Sequence, residues 1–118
     1  MNQNVRDYVT EKVNELIAAP SCCAEARAAA KNWLNAVGTN QETDASRRLI
    51  AELEMDIMPV DGLIAFAGSE AGVQVFGAET AKNIVAHGQE LKSAGAKYCD
   101  CPACAASAAI LAKKEELI

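Results

Sequence analysis

Five cysteines in a chain of 118 residues are gathered in two places, a vicinal pair, Cys22-Cys23, and a dense C-x-C-x-x-C array, Cys99, Cys101 and Cys104. Thiolates bind zinc, iron–sulfur clusters and copper(I), and the five together exceed by one the four ligands of a Cys₄ zinc site or a cubane cluster. The array lets three sulfurs converge on one side of a tight turn while a fourth arrives from the distant pair. This three-plus-one pattern makes a [4Fe–4S] cluster, held by Cys99, Cys101, Cys104 and one of Cys22 or Cys23 and serving electron transfer or redox sensing, the first expectation. Zinc ribbons pair two C-x-x-C knuckles on hairpins, which this sequence lacks, so zinc is an alternative, as is copper(I). Two other readings stand beside metal binding. One is a dithiol redox protein, although no thioredoxin-like βαβ pattern surrounds the thiols. The other is a non-catalytic helical interaction module in which a structural zinc, or no metal, ties the last helix to the second; the plainest reading of Cys22, Cys23 and Cys104 is as small core residues.

The elements that must position these thiols read as helices. Val5, Tyr8, Val9, Val13, Leu16 and Ile17 form one apolar stripe, ended by Ala18-Ala19-Pro20. Ser21 is a suitable cap for a second helix with the stripe Ala26, Ala29, Ala30, Trp33, Leu34 and Val37, stopped by Gly38. Extended backward, that stripe reaches Cys22 and Cys23, which places both thiols inward at a helix N-terminus, where backbone N–H groups and the helix dipole favour thiolate. Thr43 or Asp44 caps a third helix with Leu49, Ile50, Leu53 and Ile57 inward, ended by Pro59. Residues 60–77 hold four of the seven glycines. They read as two short helices capped by Asp61 and Ser69, with a small hairpin around 63–76 as the alternative, because Val73, Val75 and Phe76 are β-prone. A further helix carries Ala81, Ile84, Val85, Gly88 and Leu91, with Gly88 weakening it and Gly95 stopping it. In the last, Cys101 is the cap, Pro102 the first residue and Cys104 the third, facing inward with Ala108 and Leu111. The expectation is an all-α bundle of five to six helices in one domain, residues 1–118, with a cysteine cluster at each of two helix N-termini.

Composition narrows the function. At 51% hydrophobic, 23% charged and 4% aromatic, the chain has enough apolar surface to fold around an Ala-rich core. A net charge of −5 has the wrong sign for neutralising nucleic-acid phosphates or anionic lipid, so neither partner is expected. No apolar run reaches the roughly 18 residues of a spanning helix, and MNQNVRDYVTEK lacks a secretory pattern, which gives a cytoplasmic expectation. A redox or other protein partner is the expected one, and both monomer and homodimer are compatible with the Ala-rich surface.

Other residues that could do chemistry have plainer roles. His87, the single histidine, lies at the edge of its helix's apolar stripe and reads as structural, with ligation as a lesser alternative. Asp100 reads as a turn residue, and Lys97 and Tyr98 as cover for the cluster. Glu42, Asp44, Glu52, Glu54 and Asp56 read as a solvated acidic face. Gly68-Ser69-Glu70-Ala71-Gly72 lacks the lysine and the preceding strand of a phosphate loop, and no histidine is arranged to activate Ser69.

The segments SCCAEARAAAKNWLNAVG, DGLIAFAGSEAGVQVFGAE and AKYCDCPACAASAAILAKK resemble a small family of proteins of about this length from anaerobic bacteria, across nearly the whole chain. Members have been labelled heat-shock chaperone-like, a label these residues do not support: the chain is far too short and has no ATP-binding motif of such a chaperone. The resemblance implies no catalytic residues. Its anaerobic setting implies tolerance of an oxygen-labile cluster, and so iron over zinc.

Overall fold

Several helix starts in this chain are fixed by side chains that accept the first unpaired N–H groups. In the computed structural model, which describes residues 2–117, Asn2 accepts from the Val5 N–H at 2.8 Å and opens α1, Gln3–Ala18. Seven further helices follow among the described residues: α2 Ala24–Ala36, α3 Glu42–Asp56, α4 Val60–Ala67, α5 Glu70–Phe76, α6 Ala78–Ser93, α7 Pro102–Leu111 and α8 Lys114–Leu117. The protein is all-α. The helices outnumber the five or six expected: the two short ones read over 60–77 both form, as α4 and α5, and α8 is one short turn added after α7 to bury Leu117.

The chain divides into two units, one made of the residues up to Ile57 together with those from Asp100 onward, the other of Met58–Cys99. The first unit packs α1 against α2 and α7, and α3 against α2, α7 and α8. Its core is built from the expected stripes: Val5, Val9, Val13 and Leu16 of α1, Ala26, Ala30 and Trp33 of α2, and Leu49, Ile50 and Leu53 of α3, closed by Ile110 and Leu117. Trp33 is completely buried, and its indole N–H donates to Ser46 Oγ at 2.9 Å, so the largest core side chain leaves no polar atom without a partner. Tyr8 departs from its stripe. It lies exposed at the edge, with the ammonium groups of Lys12 and Lys113 each over its ring, 5.6 and 5.4 Å from the ring centre.

Three caps differ from expectation: α4 begins at Val60 behind Pro59, so Asp61 falls inside its first turn rather than capping it, and the starts of α2 and α3 differ as well. Helix α2 is capped by Cys23 rather than Ser21, whose hydroxyl accepts instead from the Ala103 N–H of α7 at 3.3 Å. Helix α3 begins at Glu42, so Thr43 and Asp44 fall inside its first turn. What fixes this start is Glu42 itself. Its carboxylate accepts from the Gly38 N–H at 2.8 Å and from Arg6 Nε at 3.1 Å, and the side chain is nearly covered. Burial alone would raise this carboxyl, but the Arg6 bond, the Gly38 amide and the Arg6 charge together hold it below its ordinary value of 4.5.

In the second unit α4, α5 and α6 pack on one another. The hairpin alternative over 63–76 does not form. Ser69 accepts from the Gly72 N–H at 3.1 Å and starts a helical turn, and Gly72 sits so close to the end of α4 that a β-carbon there would overlap the Phe66 carbonyl oxygen. Phe66 and Phe76 then meet edge to face with ring centres 5.9 Å apart. Gly88 is likewise a packing residue rather than a weak point: it is buried, and a β-carbon would stand 2.7 Å from Ile64 Cγ1. The two ends of this unit are clasped at its neck, where Val60 N–H donates to Lys97 O at 2.9 Å and Cys99 N–H to Met58 O at 2.8 Å, beside a single antiparallel bridge between Pro59 and Tyr98. No helix among the described residues is long and apolar enough to cross a membrane.

Candidate metal centre

The C-x-C-x-x-C array is positioned by two local devices. At one end the neck clasp fixes the backbone of Cys99. At the other, Cys101 is the cap of α7: its sulfur accepts from the Cys104 N–H at 3.4 Å and its carbonyl from the Ala105 N–H at 2.8 Å, while Pro102 supplies the first helical residue. Cap and third residue therefore turn the same way, and Cys104 is buried. The outcome is that the Sγ atoms of Cys99, Cys101 and Cys104 all lie within 4.8 Å of one another. Because the three belong to one continuous segment of six residues, this convergence follows from the turn and the cap.

Three thiols gathered this way are a set of soft donors for a thiophilic metal. A zinc–sulfur bond of about 2.3 Å puts tetrahedral thiolates about 3.8 Å apart, so closing on a single ion takes only small side-chain movements. Thiolates on separate iron corners of a cubane stand farther apart, on the order of 6 Å, and the array would have to open to hold one.

The vicinal pair has a different environment. Cys22 is 8% exposed, as expected of an inward residue, and its thiol donates to the Cys23 carbonyl at 3.4 Å. Cys23 does not share that face. It is exposed because, as the cap of α2, its sulfur turns back to accept from the Ala26 N–H at 3.4 Å. Its thiol also donates to Asp56 Oδ2 at 3.3 Å. Neither thiol is tuned toward thiolate as the helix N-terminus suggested. Desolvation pushes Cys22 up, with the nearby Asp56 charge adding to it and the Arg27 charge opposing. Desolvation also raises Cys23, as does the Asp56 bond, against the Ala26 amide. Cys22 and Cys23 carry free thiols.

Arg27 holds the turn that presents this pair. Its Nε donates to Ile17 O, and its Nη2 to both Ala19 O and Cys22 O, each at 3.3 Å. Neither Arg27 nor Asp56 was singled out by sequence reasoning as a partner of the thiols. A signal was present, since both are misfits to the helix dipole: Arg27 is a cation near the start of α2, and Asp56 an anion at the last residue of α3. His87 is exposed on α6 and Asp100 is exposed within the array, and neither belongs to the sulfur triad. Lys97 and Tyr98, expected as cover, contribute their backbones to the neck clasp, and both side chains are exposed. Compared with known proteins, the chain matches no family model, no curated sequence and no solved structure.

Proposed function

We propose that this is a metal-binding protein that holds a single thiophilic ion, zinc or copper(I), through the thiolates of Cys99, Cys101 and Cys104. The observation that carries this reading is the convergence of the three sulfurs within 4.8 Å, a spacing that suits one ion. The cap geometry adds a second contribution: the Cys104 N–H already points at Cys101 Sγ, so the thiolate formed on metal binding keeps a hydrogen-bond donor. On zinc the triad leaves a fourth position open to water or a partner's ligand, which keeps the ion exchangeable.

The [4Fe–4S] reading is the second, favoured by the spacing of the array together with the further thiols Cys22 and Cys23 on the start of α2. It requires the triad to spread. Anaerobic purification followed by metal and acid-labile sulfide analysis separates the two. One zinc or copper per chain without sulfide, lost on Cys101→Ser, is the expected result. Iron and sulfide in equal amounts would replace the single ion by the cluster, and reduced protein that retains no metal would refute both.

A further inference from the structure

In the first unit, Ser21, Cys22, Cys23, Asp56, Cys104 and Ser107 line a cleft of about 60 Å³. That is far below the roughly 300 Å³ and more of pockets that enclose organic ligands, and comparable with the space of one or two waters. The size suits a small ion rather than an organic ligand. The lining is graded: Cys23 is exposed, whereas Cys22 and Cys104 are each 8% exposed. Cys104 belongs both to this cleft and to the sulfur triad. A carboxylate, Asp56 Oδ2, stands 3.3 Å from the exposed sulfur, a negative charge that attracts a cation to the outermost thiol.

We propose that Cys22 and Cys23 form the loading site for the ion of the triad. This rests on the triad being its resident site. An incoming thiophilic cation, carried by a small thiol or buffer ligand, is taken up by Cys23 and Cys22 and passed to Cys104. The steps are ligand exchanges without oxidation or reduction. Each protein sulfur that takes the ion loses its proton to solvent as one carrier ligand leaves. In the transfer, the metal–sulfur bonds to Cys23 and Cys22 break as those to Cys104, Cys101 and Cys99 form and the last carrier ligand leaves; the three triad thiols each release a proton, and Cys22 and Cys23 each regain one. The Ala26 N–H, already directed at Cys23 Sγ, stabilises the transient thiolate.

The test uses the whole reduced chain and Cd²⁺ as the probe, with uptake followed by thiolate-to-metal charge-transfer absorbance in a rapid-mixing instrument. Wild-type protein is expected to take up one equivalent. In Cys23→Ser the stoichiometry and affinity persist but loading slows about tenfold or more, because the ion then enters only by the half-buried Cys99 and Cys101, and buried Cys104 joins it on opening of the fold. Serine retains the capping role at this position, so the variant keeps α2. Cys22→Ala gives the same pattern independently. Loading of both variants at the wild-type rate overturns the proposal. So does loss of bound Cd²⁺ at equilibrium in either variant, which would make the pair resident ligands. Wild-type protein that binds no Cd²⁺ at all instead refutes the triad as a metal site, and the loading proposal with it.

Discussion

Replacing Arg27 tests whether the turn at residues 19–23 is held from α2. Its guanidinium donates to three carbonyls, Ile17, Ala19 and Cys22, each at 3.3 Å, near the long limit of useful geometry. At about 0.7 kcal/mol apiece the three stabilise the turn by about 2 kcal/mol. Arg27→Met removes all of them and keeps the apolar stem. Because Cys22 is 8% exposed, an alkylating reagent reaches it through opening of this turn. If opening becomes easier by about 2 kcal/mol, labelling of Cys22 accelerates about 30-fold, since each 1.4 kcal/mol is a factor of ten. The Arg27 charge also opposes the rise of the Cys22 thiol, so losing it acts the other way and slows alkylation. Arg27→Lys separates these effects: it keeps the charge but not the planar fork that spans three acceptors, and is expected to label at least as fast as Arg27→Met. The assay is mass-resolved iodoacetamide labelling of reduced protein at fixed pH, with Cys23 as the exposed internal reference. Unchanged Cys22 labelling in both variants would refute the reasoning.

Three other perturbations probe the scaffold. Glu42 has a lowered pKa in the fold, so its contribution is present above the ordinary value of 4.5 and is lost as pH falls through the depressed one; Glu42→Gln should cost about 2 kcal/mol in urea unfolding at pH 7, and the gap from wild type should narrow with acidification through that range. Ser46→Ala leaves the fully buried Trp33 N–H without its acceptor and should destabilise the protein by about 1–3 kcal/mol, read from urea midpoints, whereas Ser46→Thr at the same site should recover part of the loss. Gly72→Ala forces a β-carbon into the Phe66 carbonyl and should cost about 2 kcal/mol or more; amide exchange across α4 and α5 should accelerate, and an unchanged rate there would contradict the close approach.

The stripes of α1, α2 and α3 are legible in the sequence because each buries one face at helical spacing, and local capping chemistry is legible where the cap lies next to its helix, as with Ser69 and Cys101. The triad belongs to this class, since cap, proline and third residue lie within one short segment. What sequence hides is set by residues distant along the chain. Ser21 reads as a cap, but it is drawn to the Ala103 amide 82 positions later, and that moves the start of α2 to Cys23 and turns one thiol outward. Gly88 reads as a weak point on a helix, and becomes a contact with Ile64 only once α4 lies against α6.

This division between local and distant determinants bears on how metal and fold are coupled. The geometry of Cys99, Cys101 and Cys104 depends on a neck of two backbone bonds and one helix cap, while the core around Trp33 is complete from apolar side chains and satisfied polar groups. An ion bound at the triad would add stability by mass action to an already folded chain, unlike a zinc finger, whose core is too small to fold alone. The prediction is that a strong chelator leaves the helical circular dichroism of α1, α2 and α3 in place and lowers the unfolding midpoint only by the linkage term, which grows with free ion concentration. Collapse of the helical signal on chelation would show that the ion, rather than the Trp33 core, organises the first unit.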